Sequence, residues 1–164
     1  GNLHEHLRTE NLRITCNSKD TGYIKHVGNL IKKVFHKSPS TRKRNDVNAV
    51  SVDLYQCKIS ERLNLPCGDK IRNNVGIPYW ILPDKRYILK CLKGLFESDG
   101  DWVIDPTYGT NVIKFTNIIE TLLDDIHACL INLGFPANRG KKRVTISRAR
   151  EVERFVKLIK FRQY

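Results

Sequence analysis

The chain lacks any apolar run close to the roughly 20 residues that span a bilayer, and no charged-then-apolar leader opens it. A membrane-spanning protein and a secretory precursor are excluded on this reading, and the expected setting is intracellular, cytoplasmic in a prokaryote or organellar. Cysteine is sparse and odd in number: Cys16, Cys57, Cys67, Cys91 and Cys129 are the 5 in 164 residues. No two of them have the close spacing of a zinc knuckle or a redox motif, so free thiols are expected. His4 and His6 form a His-x-His with no Cys or His nearby, which argues against a metal site there. Acid is in short supply, with 17 Asp+Glu against 29 Lys+Arg and a formal net charge of +12. That excess is the footprint of a polyanion partner, most simply nucleic acid. It is not a basic tail, because residues 1–84 and 85–164 each carry a net charge of +6. Hydrophobic residues make up 40% of the chain, enough to build a core.

What is present is a repeat. Displaced by one hundred residues, Asn17 falls on Asn117, Thr21 on Thr121, Leu30 on Leu130, Ile31 on Ile131 and Phe35 on Phe135. The order of elements agrees. Leu12 to Cys16 alternates apolar and polar, as a half-buried strand does. Thr21 to Phe35 has helical spacing, Ser38 to Asn45 reads as a Pro- and Arg-rich turn, Val50 to Leu54 alternates, and a helix follows around Ile59 to Leu65. In the second half Ile113 to Thr116 alternates, Thr121 to Leu133 is helical, Val144 to Ser147 alternates, and Glu151 to Ile159 closes the chain as a helix. Both halves read strand, helix, strand, helix. Tyr87 to Glu97 is an extra helix before the second copy, and Ile77 to Asp84, with two prolines, reads as a connection.

Alternation also assigns faces. Leu12, Ile14, Val50, Val52, Ile113, Phe115, Val144 and Ile146 face the helices. Arg13, Thr15, Ser51, Lys114, Thr116, Arg143, Thr145 and Ser147 face the other way, giving a polar, basic sheet surface suited to groove edges and phosphates. Arg42, Lys43 and Arg44 extend it in one turn; Arg139, Lys141 and Lys142 do so in the matching turn, with Arg148 beyond. Arg8 completes the candidate DNA contacts.

The segment Leu92-Lys93-Gly94-Leu95-Phe96-Glu97-Ser98-Asp99-Gly100 carries the chemistry. Gly in a helix interior costs about 1 kcal/mol relative to Ala. Gly94 and Ser98, four apart, allow a second helix backbone to approach closely. Gly100 is suited to a left-handed helix terminus, which leaves Asp99 at the tip of a helix–helix interface.

With its flanks, Tyr87 to Trp102, this segment resembles the LAGLIDADG signature of homing endonucleases. Leu63 to Lys70 and Ile77 to Ile81 are similar to the linker region of intein-type and archaeal members. Arg143 to Ser147, with Val152 to Phe155, is similar to their closing strand and helix. The resemblance implies an α+β fold of two pseudo-symmetric αββαββα-like halves with antiparallel, saddle-shaped sheets over duplex DNA. Residues 1–84 would be the first half, without its motif helix. Residues 85–164 would be the second, with motif helix 87–100 and its interface at Gly94 and Ser98. Asp99, with Gly100, would bind divalent metal, usually magnesium; calcium would support binding without cleavage. Asn117, Asn17 and Lys19 would be the polar groups that order water near the phosphate, although the lysine that often follows the Asn or Gln in the family is missing.

The implied activity is hydrolysis of phosphodiester bonds in a specific double-stranded DNA site. Intein ends are not seen. The first motif helix would lie upstream of residue 1. If it exists, the protein is a pseudo-twofold monomer; otherwise two chains pair through helix 87–100. Two other readings are a non-cleaving, transcription-factor-like DNA-binding protein on the same scaffold and an RNA maturase.

Overall fold

The computed structural model describes residues 1–43, 47–105 and 109–162. It comprises two compact units, Gly1–Asn73 and a second that begins at Asn74. The first contains strands β1 (Asn2–Glu5) and β2 (Glu10–Asn17), helix α1 (Thr21–Phe35), strands β3 (Ser40–Lys43) and β4 (Ala49–Gln56), and helix α2 (Ile59–Leu63). Its sheet has the order β1-β2-β4-β3, and every pairing is antiparallel. The register Leu12↔Leu54, Ile14↔Val52, Cys16↔Val50 collects apolar side chains on one face. α1 covers that face with Val27, Ile31 and Phe35, four residues apart and buried. It stops at His36, which takes the left-handed conformation at φ 54.

The second unit contains a 3₁₀ turn (Tyr79–Ile81), helix α3 (Lys85–Asp99), strands β5 (Gly100–Asp105) and β6 (Thr110–Thr116), helix α4 (Glu120–Asn132), strands β7 (Asn138–Gly140) and β8 (Arg143–Ile146), and helix α5 (Ala149–Ile159). Its sheet order, β5-β6-β8-β7, repeats that of the first unit. The class is α+β, with two four-stranded antiparallel sheets. Burying each large apolar side chain contributes about 1.5–3 kcal/mol. The Phe155 ring lies 5.1 Å from Phe96 and 5.4 Å from Phe135 by centroids, which ties α5 to α3 and to the end of α4. Gly134, at φ 80, turns the chain so that the Phe135 N–H reaches the Leu130 carbonyl at 2.9 Å.

Three features differ from the periodicity reading. Ser38 to Asn45, read as a turn, contains edge strand β3. The segment before α3, grouped by sequence with residues 1–84, packs in the second unit: Ile77 and Ile81 join its core, and the Ile77 N–H donates to Asp125 Oδ2 at 2.8 Å. The repeat also runs one residue short of a hundred within the helices. Val27 and Ile31 take the buried places of Ile126 and Leu130, whereas Leu30 and Ile131 are both exposed.

Candidate nucleic-acid interface and motif carboxylate

α3 begins at Asp84, whose side chain accepts the Arg86 N–H at 2.8 Å and thereby satisfies a free helix donor. Ile88, Leu92 and Phe96 turn inward. Gly94 and Ser98 lie on the exposed side, and a Cβ built on Gly94 would meet nothing within 4 Å. Asp99 ends the helix and is exposed. The Ser98 hydroxyl lies 3.0 Å from the Leu95 carbonyl and 3.2 Å from Asp99 Oδ2.

Gly100 is not left-handed. It is extended (φ −81, ψ 154), and its N–H bonds the Phe96 carbonyl. The glycine is needed for a different reason. A Cβ there would lie 2.8 Å from Phe96 Cα, and nearer still to the Phe96 carbonyl oxygen. Helix therefore passes directly into strand with no loop between them. Glu97 is engaged elsewhere: its carboxylate accepts the Arg162 backbone N–H at 2.8 Å and pairs with the Arg162 guanidinium.

Because β5 and β6 are antiparallel, Gly100 pairs with Phe115. Asp99 thus enters at the end of the sheet where Thr116 pairs with Arg143. A cleft of about 480 Å³ is formed by Lys114, Thr116, Gly140, Lys141, Lys142 and Arg143. It brings together five of the residues chosen from sequence. Thr145 lies opposite Lys114 on the same face, and Ser147 and Arg148 are exposed just past β8. Lys114 is paired with Asp101 at 2.8 Å.

Arg139 is a correction. It is the Cα partner of the buried Val144, so it sits on the helix side of the sheet. Its Nε donates to Asp124 Oδ1 on α4 at 2.7 Å, and its other donors bond the Gly140, Lys141 and Glu120 carbonyls. An arginine so placed holds the turn together on the helix side of the sheet, away from the face assigned to it by sequence.

In the first unit Arg13 pairs with Asp53, and Thr15 and Arg42 both pair with Ser51. These residues share the face away from α1. Ser51 is only 5% exposed beneath its neighbours, so it is not the surface contact expected of it. Lys43 pairs with Val50 and belongs to the opposite face. Arg44 lies outside the described residues. Arg8 is exposed in the β1–β2 turn, where its carbonyl accepts the Cys57 thiol at 3.1 Å. The sequence reading missed Asp53, whose Oδ1 accepts Arg13 Nε at 2.7 Å and holds the guanidinium above its ordinary pKa. Alternation carries the signal: Asp53 is the acid of β4, between Val52 and Leu54 and on the same face as Ser51.

The two asparagines matched by the repeat have a local task. Asn117 Oδ1 accepts the N–H groups of Ile118 (2.9 Å) and Ile119 (3.0 Å), and Asn17 Oδ1 accepts that of Lys19 (3.0 Å). Both are Asx turns leading from strand to helix. Two N–H groups fill both lone pairs of Asn117 Oδ1, while Asn17 Oδ1 accepts one, and both side chains keep the amide NH₂ to meet water. Lys19 is exposed in the same turn.

Among the described residues, no group of three or more His, Cys, Asp or Glu is placed to hold a metal. An exposed terminal carboxylate such as Asp99 nonetheless suits a hard cation that keeps several waters and takes oxygens from a bound phosphate. No described helix is long and apolar enough to cross a membrane.

Residues 86–160 match the family described as a LAGLIDADG-like domain. Mesophilic variants of the homing endonuclease I-DmoI share 19% identity with this chain, cover 97% of it over 87% of their own length, and superpose with a TM-score of 0.64. I-DmoI in complex with DNA and Mn covers 100% of this chain over 91% of its own, at 17% identity and a TM-score of 0.65. The N-terminal LAGLIDADG domain of DUF199/WhiA covers 97% of this chain over 74% of its own, at 14% identity and a TM-score of 0.59. No curated protein matches by sequence. An α3 that runs into β5 through a tightly packed glycine, two sheets of one order and these matches lead to one conclusion: residues 86–160 match the LAGLIDADG-like domain, and the chain has the fold of the LAGLIDADG homing endonucleases.

Proposed function

We propose that the chain is a site-specific, divalent-metal-dependent endonuclease acting on double-stranded DNA, with magnesium as its working ion. The observation that supports this best is the placement of Asp99. It stands at the exposed end of α3, at the same end of the sheet as the basic cleft of Lys114, Lys141, Lys142 and Arg143. Cations in that cleft neutralise phosphate and position the backbone. Arg13, Thr15 and Arg42 on the first sheet, with Thr116 and Thr145 on the second, face groove edges. Asp99, with the Gly100 backbone beside it, would hold the ion. A bound divalent cation supplies water activation and charge stabilisation at the leaving oxygen. Related homing-endonuclease structures hold DNA with Ca, Mn or Mg.

A second reading, binding without cleavage, draws on Asn17 and Asn117. Their carbonyl oxygens serve backbone turns, so the support for an attacking water is thinner than the family resemblance implies.

One experiment separates the two. A randomised duplex library is selected in calcium, and the bound DNA is then transferred to magnesium with wild type and Asp99→Asn. Cutting that requires both magnesium and Asp99, with binding kept in the variant, is the expected result. Tight, specific binding with no cut by the wild type in magnesium or manganese would establish the binding reading instead.

A further inference from the structure

Asp53 is 2% exposed, on the sheet face that points away from α1. A carboxylate buried this deeply is costly unless it is paired. Its Oδ1 accepts Arg13 Nε at 2.7 Å and faces Asn11 Nδ2 at 3.4 Å; Asn11 is itself 1% exposed. The Ser40 hydroxyl lies 3.4 Å from the Asp53 carbonyl on the neighbouring strand, which holds the backbone there. The Arg13 side chain is 37% exposed, so one end is tied down and the other meets solvent. Asp53 and, to a smaller degree, Tyr55 act on the guanidinium. Arginine has five N–H donors, so enough remain for two parallel bonds outward. Two such bonds are what a guanine edge accepts, at O6 and N7.

We infer that Asp53 is a positioning residue that fixes Arg13 as a guanine reader on the first sheet. The inference rests on the reading of that face as a DNA surface. It goes beyond that reading by naming which cation carries base specificity and why. Fixing the fork before binding removes the ordering cost that a free side chain would incur. The second unit offers a contrast. Lys114 pairs with an Asp101 that is 55% exposed. Such a pair is weak in water, and an ammonium on a flexible stem is a point charge without a fork. Lys114 therefore serves phosphate or changes partner freely, while Arg13 reads one base pair.

The test takes the target found by selection in calcium and measures relative affinity for every single-base-pair variant of it. Wild type should prefer guanine at one base pair served by the first unit by about tenfold or more. Asp53→Asn keeps the shape and removes the charge. It should lower that preference to about threefold or less, leave preferences elsewhere unchanged, and leave affinity for random duplex equal or higher. Arg13→Lys, an exposed change that keeps the charge, should erase the preference at the same base pair even if Asp53→Asn folds poorly. The double variant should discriminate no worse than Arg13→Lys alone. A uniform change in affinity across all sequences on Asp53→Asn would show that Asp53 acts only as a charge, and would overturn the inference. So would an intact guanine preference in Arg13→Lys. A wild type with no base preference at any position would overturn the DNA reading itself.

Discussion

At the scale of single residues, Gly94 within α3 and Gly100 just past its end make opposite demands. Gly100 is required by the close approach of the Phe96 backbone, whereas nothing surrounds Gly94 among the described residues. Gly100→Ala should destabilise by about 1–3 kcal/mol through overpacking. Gly94→Ala should stabilise by up to about 1 kcal/mol through helix propensity. Thermal melts of the two variants should therefore move in opposite directions, by about 2–4 °C per kcal/mol at this chain length. A lower melting temperature for Gly94→Ala would mean that another helix packs on that face. Thiol reactivity follows burial in the same way. Burial pushes Cys91 and Cys129 up to about 11, while Cys57 is exposed.

At the scale of elements, the strands that alternation leaves unmarked are β1, β3, β5 and β7, and each is a sheet edge. β1, β3 and β7 are short and mostly polar, which discourages pairing with other chains; β5 differs, with Trp102, Val103 and Ile104 exposed along it. Ser40–Lys43 is exposed at every position, so no hydrophobic period existed to be read. The central strands, buried on one face, showed their period plainly. Elements are also joined by groups that no local pattern reveals. Glu10 on β2 accepts the Ser60 N–H at 2.7 Å and lies 2.5 Å from its hydroxyl, in the first turn of α2. The Ser60 hydroxyl, chiefly, lowers the Glu10 pKa below its ordinary 4.5. A carboxyl depressed on folding adds stability above its unfolded pKa and loses it as pH falls through the folded value. The melting-temperature gap between wild type and Glu10→Gln should thus be constant above about pH 5 and close on acidification below that. A gap that persists unchanged at about pH 3 would show that shape, not charge, holds β2 to α2.

At the scale of the whole molecule, the net charge of +12 is distributed over both units. Binding to duplex DNA should therefore weaken steeply with salt, by about 0.9 in log–log slope for each phosphate neutralised. Reversing both Lys141 and Lys142 to Glu should flatten that slope by roughly two phosphates' worth. An unchanged slope would remove the β7–β8 turn from the interface. The equivalent experiment on Arg139→Glu should act on stability instead, because that side chain is paired with Asp124.

Periodicity by itself determined the central strands, and the five described α-helices each to within two residues of its ends. These are properties of local pattern and composition, which short-range geometry expresses directly. The shortest helix, α2, ends at Leu63, two residues before its expected close at Leu65. Only the tertiary structure decided the rest: that Arg139 turns inward to Asp124, that Lys43 lies on the opposite face from Arg42, that Ser51 is buried, and that Asp53 holds Arg13. Each depends on which strand lies alongside which, and in what register. A shift of one residue in register moves a side chain to the other face, so the direction of a charge is a property of the paired sheet rather than of the strand that carries it.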